Sequence, residues 1–422
     1  MIFMAAMVLL VAYLILPWAL RYPVLLGMTR VWEPDRQFAH LRETCLPLHP
    51  SRLHGCEKFK IVGNILFAAC VANWDSRRKW FPPMGGFDAS LGEGGVIRDR
   101  LYMVDLQTKE LTLLLMPDFP KDVDFCVHGM DIVQVAPGDF SIYMVNHRRD
   151  ASVVESFRYR SGTGAVQHLA TYNGTQNGLV NPNDIFAVPV SSSDGSPQNE
   201  FFVTNDHYFR SSKIGRVLER YLRLPTGSVY YHSVSTGFRK VESRLSNANG
   251  IAGFPDHKFN SAPALVNMMF VASILEGTVS AYRYVPGKVT EKGGFVKIRD
   301  FTFDFVMDNL AISQDGRWLY LTGHGEPGNL DRHWRAPNNV PSASVSYRMS
   351  LIELGAYFGN KGEIGESRIE KIVVDRMGLI GNASTTAVGD DNLNKFWISG
   401  LTFHGIMECN LYANEPDEED TD

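Results

Sequence analysis

Cysteine is scarce in this sequence. Five residues, Cys45, Cys56, Cys70, Cys126 and Cys409, occur among 422, and an odd number allows at most two bridges with at least one thiol left over. Cys70 lies inside the apolar run 65–71 and reads as a buried thiol. Charge is limited too: charged residues make up 21% of the chain, too few for a disordered polymer. They form no basic stripe, which argues against a nucleic-acid partner. Beyond residue 40 no long segment keeps a helical period, which counts against a helical fold.

Apolar material is plentiful. Hydrophobic residues are 45% and aromatics 11%, enough for a large core. The N-terminus is the most apolar part: positions 2–20 carry no charge, and after Arg21 the run resumes to Met28. Such a stretch can span a bilayer. Without a preceding basic region or a small-x-small cleavage site, 1–28 reads as a retained hydrophobic anchor, with cleavage and secretion as the alternative. Residues 29–44 then form a linker. Arg21 and Arg30, taken alone, would leave the body in the cytosol. The sequons at Asn173 and Asn382 point instead to a lumenal or extracellular body carrying glycans. Glu415, Asp417, Glu418, Glu419, Asp420 and Asp422 make 413–422 an acidic tail that stays solvated and disordered.

Between these ends, short apolar runs alternate with Gly, Asp, Asn and Pro, an all-β pattern, and 205–223 has room for one short helix. A weak repeat underlies it: a polar opener, an apolar strand, a turn, and a second strand ending in another polar residue. Openers stand at Glu57, His128, Asn183, Asn249, Asn309 and Thr385, about 55 to 76 residues apart. The pattern predicts one six-bladed β-propeller over 45–412, because a four-stranded blade cannot bury its faces alone. In that architecture the openers converge on one end of the central channel. Glu57, Asn183, Asn249, Asp308 and Asn309 then offer only oxygen ligands, which suit calcium and leave positions open for water or substrate. His128 and His147 open and close the strands of one repeat, so they stand side by side and can activate a water. His324 is read as a wall residue, and Trp80, Phe81, Tyr208 and Phe209 as an apolar mouth or as blade packing.

The strings around His128-Gly129-Met130, Asn146-His147, Asn183-Asp184, Thr204-Asn205-Asp206-His207-Tyr208-Phe209, Asn249-Gly250 and Asp308-Asn309 resemble the serum paraoxonase/arylesterase family from about Cys45 to Tyr412. The resemblance implies a six-bladed propeller that hydrolyses lactones and aryl esters, with phosphotriesters as promiscuous substrates. Its calcium ligands fall on Glu57, Asn183, Asn249, Asp308 and Asn309, its His dyad on His128 and His147, and a proton relay on Asp206 and His207. It also implies a Cys45–Cys409 disulfide joining the chain ends, and an apolar N-terminus kept as an anchor. An oxidising compartment is then required, which outweighs the flanking arginines. One departure stands out. The family holds a second, structural calcium beside the first, and Asp184 and the Met130 carbonyl match that site, but Lys58 replaces its carboxylate. We therefore expect one calcium, with the Lys58 ammonium paired to Asp184 in place of the second. Alternatives are a non-catalytic, calcium-stabilised scaffold that binds proteins and a gluconolactonase-like or strictosidine-synthase-like propeller enzyme. Insertions around 190–199, 256–267 and 326–342 lengthen the loops relative to that family, and the substrate that the resemblance implies is a small lipophilic ester or lactone.

Overall fold

A computed structural model describes residues 21–30, 32, 39–90, 95–188, 200–254, 265–290, 293–359 and 367–413. Most of the expected anchor and nearly all of the acidic tail lie outside these residues, as do the expected insertion at 190–199 and most of that at 256–267. Among the described residues no helix is long and apolar enough to cross a membrane.

Six four-stranded antiparallel sheets account for nearly all the strands. Their inner strands are Lys58–Val62, Val127–Ala136, Pro182–Val188, Ala248–Gly253, Val306–Ile312 and Ser384–Asp390. Each inner strand contacts the next around a closed ring, the sixth returning to the first. The result is the six-bladed propeller anticipated from the repeat. Inner and middle strands are buried almost throughout, as Pro182–Val188 and Glu200–Asn205 are. Outer strands alternate: Val166–Tyr172 buries one face and leaves the other in water.

Aromatic rings fill the wedges between blades. Phe67 meets Phe140 at 5.3 Å, Tyr143 meets Phe201 at 5.5 Å, Phe202 meets Tyr284 at 5.2 Å, and Tyr320 meets Phe396 at 6.2 Å. Each such side chain contributes roughly 1.5–3 kcal/mol on burial. That explains how one core can continue through six separate sheets.

The ring closes on its last blade, where Leu46–Leu48 pairs with Ile406–Asn410 as the outer strand. Cys45–Cys409 locks this seam across 364 residues. The chain-entropy account gives a cross-link of such span about 6 kcal/mol. Thermal or denaturant unfolding of the Cys45→Ser/Cys409→Ser variant should show a loss of about 3–5 kcal/mol; an unchanged midpoint would mean the seam closes without it.

The reading of Cys70 as a free thiol is overturned: Cys70 is bridged to Cys56, leaving Cys126 as the buried free cysteine. An apolar run signals burial, and a buried disulfide is equally apolar, so the run could not separate the two. The helix expected within 205–223 forms at Lys213–Tyr221, N-capped by Ser212. A second rim helix, Pro327–Arg335, occupies the 326–342 insertion.

Candidate active site at the channel mouth

Five inner strands break ladder register near their starts, four of them around two opener residues and the last at Thr385. Val127 pairs with Asn146 and Met130 with Met144, so His128 and Gly129 together oppose one residue. The same two-against-one arrangement occurs at Asn183-Asp184, Asn249-Gly250 and Asp308-Asn309. Such bulges re-aim side chains out of the pleat. They also interlock between blades: a Cβ on Gly129 would lie 2.2 Å from the Asn183 carbonyl oxygen, and one on Gly250 would lie 2.6 Å from the Asn309 Cα. The absence of side chains at these two positions lets adjacent openers crowd together.

The five expected ligands are all buried: Glu57, Asn183, Asn249, Asp308 and Asn309. Glu57 Oε2, Asn183 Oδ1 and Asn249 Oδ1 have no hydrogen-bond partner among the described residues. Three orphaned buried oxygens would cost about 1–3 kcal/mol each. A hard cation would relieve that cost, and an all-oxygen set of two carboxylates and three amides fits calcium. Among the described residues no three His, Cys, Asp or Glu side chains gather as a metal cluster; three of the five expected donors are asparagines. Asp308 is fixed by His324, whose Nε2 lies 3.0 Å from Asp308 Oδ2. His324 therefore orients a candidate ligand, beyond the wall role expected of it.

Lys58, immediately after Glu57, is also buried. Its Nζ donates to Asp184 Oδ2 at 2.7 Å, to the Leu310 carbonyl at 3.2 Å and to Asn309 Oδ1 at 3.3 Å. The ammonium thus finds an acceptor for each of its three protons. Asp184 Oδ2 also accepts from the Ile251 amide at 3.0 Å. Burial pushes the Asp184 pKa up, opposed by Lys58. Met130, the other expected part of a second ion site, lines the channel alongside Lys58.

His128 and His147 stand side by side as expected. His128 Nδ1 lies 3.0 Å from His147 Nε2, and His147 Nδ1 lies 2.9 Å from Ser152 Oγ. The other His128 nitrogen, Nε2, contacts Glu57 Oε1 at 2.8 Å. Burial works against a charge on His128, but Glu57, with Asp206 and Asp308 more distant, outweighs it and holds its pKa above the ordinary value. For His147, burial and then the His128 charge hold the pKa well below that value. Of the two rings, His128 is therefore the one that favours a proton. An unfolded His147 titrates near about 6.5. Below that pH the unfolded chain takes up a proton that the folded His147 refuses, so its contribution to stability falls as pH drops. His128 contributes with the opposite sign. Denaturant titrations from pH 7.5 to 5 should therefore show a shallower acid loss in His147→Gln than in the native chain; parallel curves would contradict the assignment.

Asp206 and His207 join the same rim. His207 Nδ1 lies 2.9 Å from Asp206 Oδ1, Asn181 Nδ2 donates to that carboxylate, and Asn183 Nδ2 reaches Asp206 Oδ2 at 3.4 Å. Burial opposes the Asp206 charge, but His207, Arg216 and Asn181 together hold its pKa far below the carboxylate range.

The expected apolar mouth divides in two. Phe81 presents its edge to both dyad rings, at 5.1 and 5.8 Å, and Trp80 Nε1 donates to the His147 carbonyl at 2.8 Å. Tyr208 and Phe209 are exposed at the rim. Behind Phe81, Trp334 stacks at 5.8 Å and the Arg77 guanidinium lies 4.3 Å from the ring centre. Arg77 is itself held by Asp99 at 2.7 Å and by the Val127 carbonyl at 2.8 Å. Arg216 carries the helix Lys213–Tyr221 onto the same cover by donating to the Pro82 carbonyl at 2.7 Å.

Residues 81–411 match the arylesterase family profile. The chain belongs to the arylesterase family. Serum paraoxonase/arylesterase 2 of Gallus gallus is 24% identical over 288 residues, 68% of this chain and 69% of that protein. The Homo sapiens protein of the same name is 27% identical over 305 residues, covering 71% of this chain and 77% of its own length. Homo sapiens serum paraoxonase/arylesterase 1 is 22% identical over 316 residues, 74% of this chain and 77% of its own.

Within this arylesterase-family chain, Ser152, Arg77, Asp99 and Trp334 complete the surroundings of the dyad, and none was singled out from sequence. Ser152 follows His147 by five positions, a spacing without a signature, and Trp334 arrives from a rim insertion. Cys126 packs beside Arg77, and burial pushes its thiol up to about 12, which makes it a poor nucleophile. Of the two sequons, Asn173 is exposed. The Asn382 oxygen instead accepts from the Ser342 amide at 2.7 Å, and Ser384 is fully buried. Peptide mapping should find a glycan at Asn173 and none at Asn382; occupancy of Asn382 would contradict this packing.

Proposed function

We propose that the protein is a calcium-dependent hydrolase of lactones and aryl esters, with promiscuous phosphotriester turnover. The observation that carries this reading is the set of orphaned oxygens on Glu57, Asn183 and Asn249 beside a hydrogen-bonded His pair. Glu57, Asn183, Asn249, Asp308 and Asn309 would hold the ion. Bound there, calcium would supply Lewis acidity toward the ester carbonyl and charge balance for the oxygen that becomes anionic.

The chain's own groups supply the proton chemistry. When Glu57 serves a cation, Nε2 of His128 loses the partner that holds its proton and can accept one from a water. His147, kept neutral, accepts from His128 Nδ1–H and fixes its tautomer, while Ser152 fixes that of His147. Phe81, Trp80 and Trp334 exclude bulk water and favour a lipophilic acyl or aryl group. Asp206 and His207, paired at 2.9 Å, would pass protons along the rim. The Lys58 ammonium stands in for a second ion, so a single calcium is expected. Two disulfides favour an oxidising lumen or the exterior, with residues 1–28 as the proposed membrane anchor. Hydrolysis of a γ- or δ-lactone and of phenyl acetate, with calcium and after chelation, tests the reading. Turnover should vanish on chelation and return with calcium; full activity in the chelated protein would overturn it.

A further inference from the structure

Glu57 is held differently from the other openers. In the four blades that bulge at two openers, those positions are clamped between two ladder pairs. The inner pairs are Met130↔Met144, Ile185↔Val203, Ile251↔Val271 and Leu310↔Leu321. The outer pairs are Val127↔Asn146, Pro182↔Asn205, Ala248↔Ser273 and Met307↔Gly323. In the first blade Phe59↔Ala68 is the inner pair, and Glu57 and Lys58 take the places of Asp308 and Asn309. The ladder runs only as far as Lys58↔Ala69. The outer pair would be Cys56 with Cys70, and at that position the chain carries a disulfide.

We propose that the Cys56–Cys70 bridge positions Glu57 for calcium, a covalent replacement for the outer ladder pair that clamps the openers of the other bulged blades. The inference rests on the calcium reading above. The bridged Cα atoms are 4.1 Å apart, near the roughly 4.5 Å of a non-hydrogen-bonded antiparallel pair. Both cysteines are fully buried, so the bridge takes no part in surface chemistry. The surroundings extend the clamp. Thr385 and Thr386 hydroxyls both donate to the Glu57 carbonyl, at 2.6 and 2.8 Å. Gly55, at φ +52°, has no room for a side chain against Trp74 and the Leu401 carbonyl. The Glu57 backbone is thus immobilised on both sides, while its carboxylate faces His128 and keeps one oxygen free. Ordering a ligand before the metal arrives raises affinity because the cost of fixing it is already met in the folded chain.

The test compares two double variants of the full chain, Cys56→Ser/Cys70→Ser and Cys45→Ser/Cys409→Ser, by calorimetric calcium titration of decalcified protein and by thermal unfolding. The first should bind calcium about 10- to 100-fold more weakly, the range seen when groups supporting a metal ligand are removed. Its kcat should recover at saturating calcium with KM unchanged. The second should lose thermal stability with calcium affinity unaltered. If the serine pair does not fold, Cys56→Val/Cys70→Val, which keeps apolar volume at both sites, takes its place. Native affinity in the Cys56/Cys70 variant, or equal weakening in both variants, overturns the inference alone. A native chain that takes up no calcium overturns the calcium reading and this inference with it.

Discussion

Replacing His128 by glutamine should lower lactone and phenyl-ester kcat by about 10²- to 10⁴-fold, the usual contribution of a positioned general base. Glutamine keeps the size and polarity of the site but cannot accept and release a proton near neutral pH. Calcium affinity should change little, since in the proposed site Glu57, not His128, would supply the ligand oxygen. His147→Gln should cost less. In the proposed chemistry His147 acts on His128 through the 3.0 Å contact, and its other ring nitrogen is taken by Ser152. If the two variants lost equal activity, or if His128→Gln retained native kcat, His128 would not be the base.

The second large effect concerns Lys58. Lys58→Met should destabilise the fold by about 3–5 kcal/mol, the cost of leaving a buried charge without its partner. Asp184 is fully buried, and its only cationic partner among the described residues is Lys58 at 2.7 Å. Asp184→Asn in the same chain should restore a substantial part of the loss, because the pair, unlike either member alone, can be replaced by neutral groups. Denaturant unfolding of the two single variants and the double variant closes the cycle. Additive losses would mean that the ammonium and the carboxylate do not depend on each other.

Much of this arrangement is legible in the sequence. The openers were visible because each blade repeats one chemical event, a polar residue where an apolar strand begins, and the blade boundaries follow from it. Lys58 was legible by difference: an ammonium stood where a carboxylate was expected beside Asp184, and the two pair. The bulges were harder to see. They add one residue to a strand, and neither Asn183-Asp184 nor Asp308-Asn309 carries the glycine that marks the other two. The second disulfide was missed because Cys70 sits in a continuous apolar run, where pairing depends on register rather than composition. Trp334 and Arg77 were missed because each sits on a short helix outside the strand repeat, Pro327–Arg335 and Trp74–Lys79. Their part in covering the dyad depends on how three separate loops fold together.

The calcium content of the full-length chain tests the central claim most directly. After exhaustive dialysis into calcium-free buffer and re-equilibration with micromolar calcium, the native chain should hold one ion. An Asn183→Ala/Asn249→Ala variant, which removes two of the orphaned oxygens, should hold none while keeping Lys58 paired with Asp184. Two tightly held ions in the native chain would show that Lys58 does not stand in for the second. No ion at all would leave Glu57, Asn183 and Asn249 without the partner on which the proposed chemistry depends.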